Sequence, residues 1–338
     1  SLLLKKDMLW GEKGHEMAFG QYCYLNETST GNSGSDKTIS VVDGTRDVAV
    51  IGDCFSVIFN LAKNGLVSYV FQGREYIKRP ARPCFVRAET DNDKGNHMMF
   101  DSAQWKAAEL YSRITGSDYV FTENHFTIRY YYELPTEPVS ECIIRYTVDG
   151  YGKVEVTMDY EKPDEISELP CFGWTMILPA ELECFSWYGN GPAENYIDRN
   201  RGAKLAFYQD TVRNNLTPYS VPQECGNRTQ VRMASVFDCK GSGLDFFCDG
   251  VRKDPVNGEL RVRQTMIPME FSALPFTAGE LEEAGHLYEL PKVHKTVVRI
   301  LMKQMGVGGD DSWGAKTHEE YRIREKNLHF TFSFCGNM

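Results

Sequence analysis

Over much of the chain, hydrophobic and polar side chains alternate one by one. Val154, Val156, Met158 and Tyr160 alternate with Glu155, Thr157 and Asp159, and Leu328, Phe330, Phe332 and Phe334 alternate with His329, Thr331, Ser333 and Cys335. A period of two sends successive side chains to opposite faces of an extended backbone, so both segments predict half-buried β-strands. Ile128 to Leu134, Val297 to Met302 and Phe55 to Phe59 are further strands. Asn124 to Tyr132 is rich in aromatic and β-branched residues that fit a pleated surface, and Lys63-Asn64-Gly65 is a turn. Helical signals are few. Thr277 followed three positions later by Glu280 predicts a capping box ahead of Leu281, Ala284 and Tyr288, and Asp101 with Gln104 starts a short helix through Trp105 and Ala108.

Residues 26–38 are dominated by Gly, Ser, Thr and charge with no hydrophobic period, as in a linker or exposed loop. Before them, 14–22 reads as a strand, but some 25 residues are too few for a domain. The expected organisation is therefore the tail of a preceding module over 1–25, a linker over 26–45, and one large domain over 46–338. So many strands without a second boundary predict an all-β fold, a large antiparallel β-sandwich.

Composition narrows the picture further. The 338 residues carry a formal charge of −10, which disfavours a nucleic-acid partner because phosphate binding depends on clustered Lys and Arg. No apolar run is long enough for a membrane-spanning helix, and Leu2-Leu3-Leu4 is too short for a signal-peptide core. The ten cysteines form no C-x-x-C pair, and several lie among strand residues. They are expected to be free thiols of a cytoplasmic protein. An initial Ser1 fits a chain cut from a longer one. The seven histidines show no ligand spacing, so no metal site is expected.

Three segments mix turn formers, acids and aromatics. In Met305-Gly306-Val307-Gly308-Gly309-Asp310-Asp311-Ser312-Trp313-Gly314, Asp311 or Asp310 suits sugar hydroxyls and Trp313 offers a flat face to the C–H side of a pyranose. The plainer alternative is a tight turn, with aspartates capping amides and the indole filling a core gap. The stretch Arg87 to Gly95 (RAETDNDKG) is read as a polar loop; Asp91 and Asp93 alternate as calcium ligands do, but the closing Glu of a calcium loop is missing. Glu194, Asn195 and Arg199 in the segment 187–199, with Glu224 and Arg228 in the segment 222–228, line a polar cleft or pin long loops by buried ion pairs. The structural role is favoured for both arginines. No pair of carboxylates stands out as the acid and nucleophile of glycoside hydrolysis.

Taken in order, GDCFSVIFN (52–60), NGLVSYVFQGREYI (64–77), RPCFVRAETDNDKG (82–95), WYGNGPAENYIDR (187–199), YSVPQECGNRTQVR (219–232), FSALPFT (271–277), ELP (289–291) and QMGVGGDDSW (304–313) resemble the C-terminal domain of glycoside hydrolase family 2 β-galactosidases. The resemblance spans roughly 48–338. It implies a supersandwich similar to galactose mutarotase, in an enzyme acting on β-galactoside sugars. It also implies a catalytic Glu pair, with Mg and Na, on a separate (β/α)-barrel of a retaining enzyme that is a homo-oligomer at full length. No catalytic residue and no cofactor are then expected in this chain. Trp313 matches a tryptophan that stacks on sugar in the leaving-group subsite, with Asp311 beside it. Arg87, Asp91, Asn92 and Asp93 match a loop bordering the active site. Cys84, Val86 and Glu89 depart from the frequent Asn, Trp and Pro. Two rivals stand beside this expectation: an independent mutarotase-type epimerase using His97 or His125 with Glu194 or Glu224, and a natural small subunit docking on a barrel-bearing chain.

Overall fold

The computed structural model describes residues 1–24, 37–311 and 313–337. Its largest sheet has ten antiparallel strands. The main order is Lys204–Thr211, Cys184–Gly191, Met233–Phe237, Gly243–Lys253, Asn327–Gly336, Val154–Glu161, Ser140–Asp149, His125–Leu134 and Arg113–Phe121, and Leu260–Ile267 pairs off Gly243–Lys253. The last strand in sequence thus lies mid-sheet. In it Leu328, Phe330, Phe332 and Phe334 are buried, and Val154, Val156, Met158 and Tyr160 are buried in its neighbour, as their alternation predicts.

Two five-stranded sheets cover the inner face of this large one. The first runs from Ser40–Asp43 through Asp47–Ile51, Phe55–Asn60 and Gly65–Phe71 to Arg74–Glu75. The second orders Arg228–Val231, Met269–Leu274, Lys295–Gln304, Cys171–Pro179 and Arg79–Cys84. Rings lock the layers together. Phe59 lies 5.6 Å from Phe126 and 5.2 Å from Tyr146, Tyr146 meets Trp174 edge-on at 5.9 Å, and Phe246 reaches Phe271 at 5.5 Å. The result is the large all-β antiparallel sandwich expected.

The second five-stranded sheet positions the motif loops. Both Met269–Leu274 and Lys295–Gln304 are buried nearly throughout, so neither face meets water. One face, with Phe271, Ala273, Val298 and Ile300, joins the main core. The other carries Glu270 and Arg299, and its covering loops bury a small separate cluster of Ala88, Cys225, Leu274, Phe276 and Leu281. Buried polar side chains need partners, and here the loops supply them.

Two helices refine the sequence reading. Thr277 caps Ala278–Glu283 through the expected reciprocal box with Glu280. Asp101, expected to start the next helix, instead closes Met98–Asp101; the helix Ala103–Tyr111 begins after Ser102, and Asp101 forms an ion pair with Lys316 at 2.7 Å. Of the expected linker, 26–36 lies outside the described residues, and Ser40–Asp43 is a paired strand belonging to the sandwich. Within 1–24, Leu2–Leu3 pairs with Glu16–Ala18, and the segment docks on the edge strand Lys204–Thr211. The Gln21 amide donates to Leu205 O at 2.9 Å and accepts from Leu205 N at 2.7 Å, satisfying edge backbone groups as a paired strand would.

Candidate functional site

Two of the motif segments meet. Asp91–Gly95 is one turn of helix rather than the loop expected, because Thr90 accepts from Asp93 N at 3.1 Å while the Asp93 carboxylate accepts from Thr90 N at 3.0 Å. Arg87 is fully buried behind that turn. It donates to both carboxylate oxygens of Asp93 at 2.9 Å, to Met305 O at 2.7 Å and to Gly306 O at 3.0 Å. One guanidinium therefore ties the helical turn to the start of the glycine-rich segment. The direct ligand contact expected of Arg87 and Asp93 does not fit a pair this deeply buried; they hold the turn instead.

The glycine-rich turn is pinned at several further points. Asn92 Nδ2 donates to Ala315 O at 2.9 Å, and Gly308 N donates to Asp198 at 2.8 Å. Gly314 has φ +103°, and a Cβ there would collide with the Gly95 carbonyl group, so two backbones touch where only glycine fits. Gly306 faces Asp198 and Thr317 just as closely. Asp311 accepts from Trp313 N at 2.9 Å and from Ala315 N at 3.1 Å, the capping role of the plainer reading. Asp310 reaches His318 Nε2 at 2.8 Å. Ser312 lies outside the described residues.

Trp313 follows the opposite course. Its side chain is 85% exposed, although both flanks of its turn are anchored. The core-filling alternative for the indole is thereby excluded. Nearby, Asp91 is exposed and exchanges two hydrogen bonds with Gln223, at 3.1 and 3.0 Å, and Asn92 is half-buried. Alongside runs a cleft of about 250 Å³ lined by residues that include Asp93, Asn96, Asp101, Lys316, Thr317 and Arg322. A larger groove of about 610 Å³, on the outer face of the ten-stranded sheet around Asp159 and His329, includes no residue of the motif segments.

The possible cleft residues are committed to the fold. Burial alone would raise the Glu194 carboxyl, but hydrogen bonds from Tyr219, Gly226 N, Thr217 and Arg199 together hold it below its usual range. Asn195 accepts from Thr229 N at 2.8 Å and from the Thr229 hydroxyl at 2.6 Å, while donating to Ala193 O and Asn190 O. Glu224 is buried and takes both of its bonds from Arg299, at 3.0 and 2.8 Å. Among the described residues neither Glu194 nor Glu224 makes a hydrogen bond to a histidine, and His97 and His125 are exposed on other elements, the first just ahead of Met98 and the second at the start of His125–Leu134. The epimerase pairing is not assembled. Arg228 is likewise structural, stacked over the Trp187 ring at 4.6 Å, with burial lowering its pKa to about 10.

Sequence reasoning missed Asp198 as a support of the glycine-rich turn and Gln223 as the partner of Asp91. Asp198 stood inside the quoted 187–199 segment, but nothing local connects it with Gly308. Among the described residues no group of three or more His, Cys, Asp or Glu is arranged to hold a metal ion.

Residues 51–334 match the model of the family described as β-galactosidase small chain. The chain belongs to that family. Across 98% of its length it is 39% identical to a β-galactosidase of Halalkalibacterium halodurans, of which it covers 32%, and it is 36% identical to that of Lactobacillus delbrueckii subsp. bulgaricus, of which it covers 29%. The chain thus spans about a third of the length of these relatives. A β-galactosidase small subunit of Latilactobacillus sakei is 30% identical, with 89% of this chain aligned to 99% of that protein. Among solved structures, a galactose mutarotase related enzyme from Lactobacillus acidophilus is similar over 89% of this chain at 10% identity, with a TM-score of 0.42. Both loop segments fall within the matched span.

Proposed function

We propose that this chain is the non-catalytic C-terminal part of a retaining β-galactosidase of glycoside hydrolase family 2, and that Trp313 completes a sugar pocket whose reactive acids lie on a separate barrel. The observation that carries the reading is the outward indole on a turn fixed by Arg87, Asn92 and Asp198. Pinning an exposed aromatic side chain lowers the entropy lost when a pyranose stacks on it. Asp91, Asn92 and Asp311 border the same place, the last through its grip on the Trp313 amide. The Mg and Na ions of the resemblance belong to the barrel and enter no step in this chain. The complete enzyme is read as a cytoplasmic homo-oligomer.

Kinetics of the complete enzyme test this. Trp313→Ala should weaken aglycone binding and transglycosylation by about 1–3 kcal/mol, roughly 5–150-fold, whereas Trp313→Phe should retain much of both. Unchanged values in the alanine variant would remove Trp313 from the pocket.

A second reading rests on the Latilactobacillus sakei small subunit, nearly all of which aligns here. In it the chain is a separate subunit that docks on a barrel-bearing partner. Mixing the chain with a separately made catalytic chain, and following size and activity, distinguishes the two. Recovery of activity with a defined complex supports the subunit reading.

A further inference from the structure

Beneath the Arg87–Asp93 turn lie two thiols in contact. Cys84 ends Arg79–Cys84, Cys171 begins the adjacent strand Cys171–Pro179, and their sulfurs are 3.7 Å apart. Both are buried, at 1% and 0% exposure, and with Leu301 they form a small cluster of their own. The surroundings are polar in one direction. Arg299 approaches the Cys171 sulfur at 3.6 Å, and the Val86 carbonyl lies 3.4 Å from Cys84 and 3.2 Å from Cys171. Arg299 also pairs with Glu224 at 2.8 Å, and its guanidinium beside the sulfurs favours negative charge on them.

From this geometry we propose that Cys84 and Cys171 are a redox-active dithiol that hydroperoxides convert to a disulfide within the fold. The Cys84 thiolate attacks one oxygen of hydrogen peroxide. The O–O bond breaks, the hydroxide leaves as water after taking a proton, and Cys84 becomes a sulfenic acid. The Cys171 sulfur then attacks the Cys84 sulfur, the S–O bond breaks, and the Cys171 proton departs with that oxygen as a second water. Two thiols lose two electrons and two protons while one peroxide is reduced to two waters. The order follows from the environment. The hydrogen bond from the Cys171 thiol and then the charge of Arg299 favour the thiolate of Cys84 against its burial, whereas burial pushes Cys171 up.

The bond shortens a 3.7 Å contact to about 2.05 Å. Cys84 leads within three residues to Arg87, the guanidinium that holds the glycine-rich turn. Close-packed interiors transmit such shifts rather than absorb them. The dithiol stands independently of the sugar reading.

The test treats the whole chain with hydrogen peroxide at neutral pH, alkylates the remaining thiols, digests it without reductant and maps the peptides by mass. A Cys84–Cys171 linked peptide, two hydrogens lighter than its parts and cleaved by reductant, is the expected product. A reduced pair in a chain whose exposed Cys23, Cys54 and Cys239 have been oxidised would overturn the proposal. Cys171→Ser removes the resolving sulfur, so dimedone should trap a sulfenic acid on Cys84. Dimedone labelling of Cys171 in Cys84→Ser, without labelling of Cys84 in Cys171→Ser, would equally overturn it.

Discussion

Trp187 and Trp313 sit in segments of similar composition, each mixing an indole with glycines, acids and amides, yet they end in opposite environments. Trp187 is 2% exposed, stacked on Phe185 at 5.0 Å and covered by Arg228, and its indole N–H donates to Asn190 O at 3.0 Å. Trp313 is 85% exposed. What separates them is where the neighbouring polar groups point. Around Trp187, Glu194 and Asn195 fold inward and satisfy buried backbone and hydroxyl groups, and Arg228 lies over the ring. Around Trp313, Asp311 accepts from amides of its own turn, and Arg87 and Asp198 grip the turn from below, so its far side stays open. Similar residues make a core in one case and an exposed face in the other.

The contrast breaks most sharply if the buried supports prove dispensable. Trp187→Ala empties a packed site and should cost the chain about 3–5 kcal/mol, measured by denaturant unfolding. Arg87→Met leaves the Asp93 carboxylate buried without its cation, and removing one member of such a pair costs about 3–5 kcal/mol. That variant should also free the Trp313 turn, seen as faster amide exchange at Gly308 and Ala315.

The pH dependence of stability probes the polar layer beneath the loops. Burial raises the Glu270 carboxyl from 4.5 to about 7, against hydrogen bonds from Asn227 and Gln304. Because the folded value exceeds the unfolded one, the folded chain holds the proton more tightly. Stability from this group is full below pH 4.5 and falls as pH rises through 7, by about 3 kcal/mol overall at 1.36 kcal/mol per pH unit. Glu270→Gln keeps an oxygen for Asn227 and should flatten the curve between pH 5 and 8 in urea melts. The smallest effect belongs to Trp313→Ala, which should change the chain's own stability by no more than about 0.5 kcal/mol, as for a surface site. A loss comparable to that of Trp187→Ala would show that the ring supports the fold.

The ten-stranded sheet was legible because it has one dry and one wet face, so strands such as Val154–Glu161 and Asn327–Gly336 print their burial as alternation. The second five-stranded sheet was harder. Met269–Leu274 is buried on both faces, and Glu270 within it is explained only by Asn227 and Gln304, far away in sequence. The Thr277 box is readable as Thr-x-x-Glu, but the same device at Thr90 uses Asp93, a pairing that the surrounding polar residues disguise as a loop. At the site, the glycine-rich turn and Trp313 stood out. The conversion of Arg87 and Asp93 from expected contacts to struts did not, because the carbonyl groups of Met305 and Gly306 that bury the arginine lie more than two hundred residues away.

The distance between the Trp313 ring and a galactoside bound in the complete enzyme, read from a crystal structure of that complex, is the most direct test of the open face. The ring should lie flat against the sugar with heavy atoms within about 4.5 Å. A sugar held in the barrel with the indole turned to solvent, or packed wholly against protein, would contradict it.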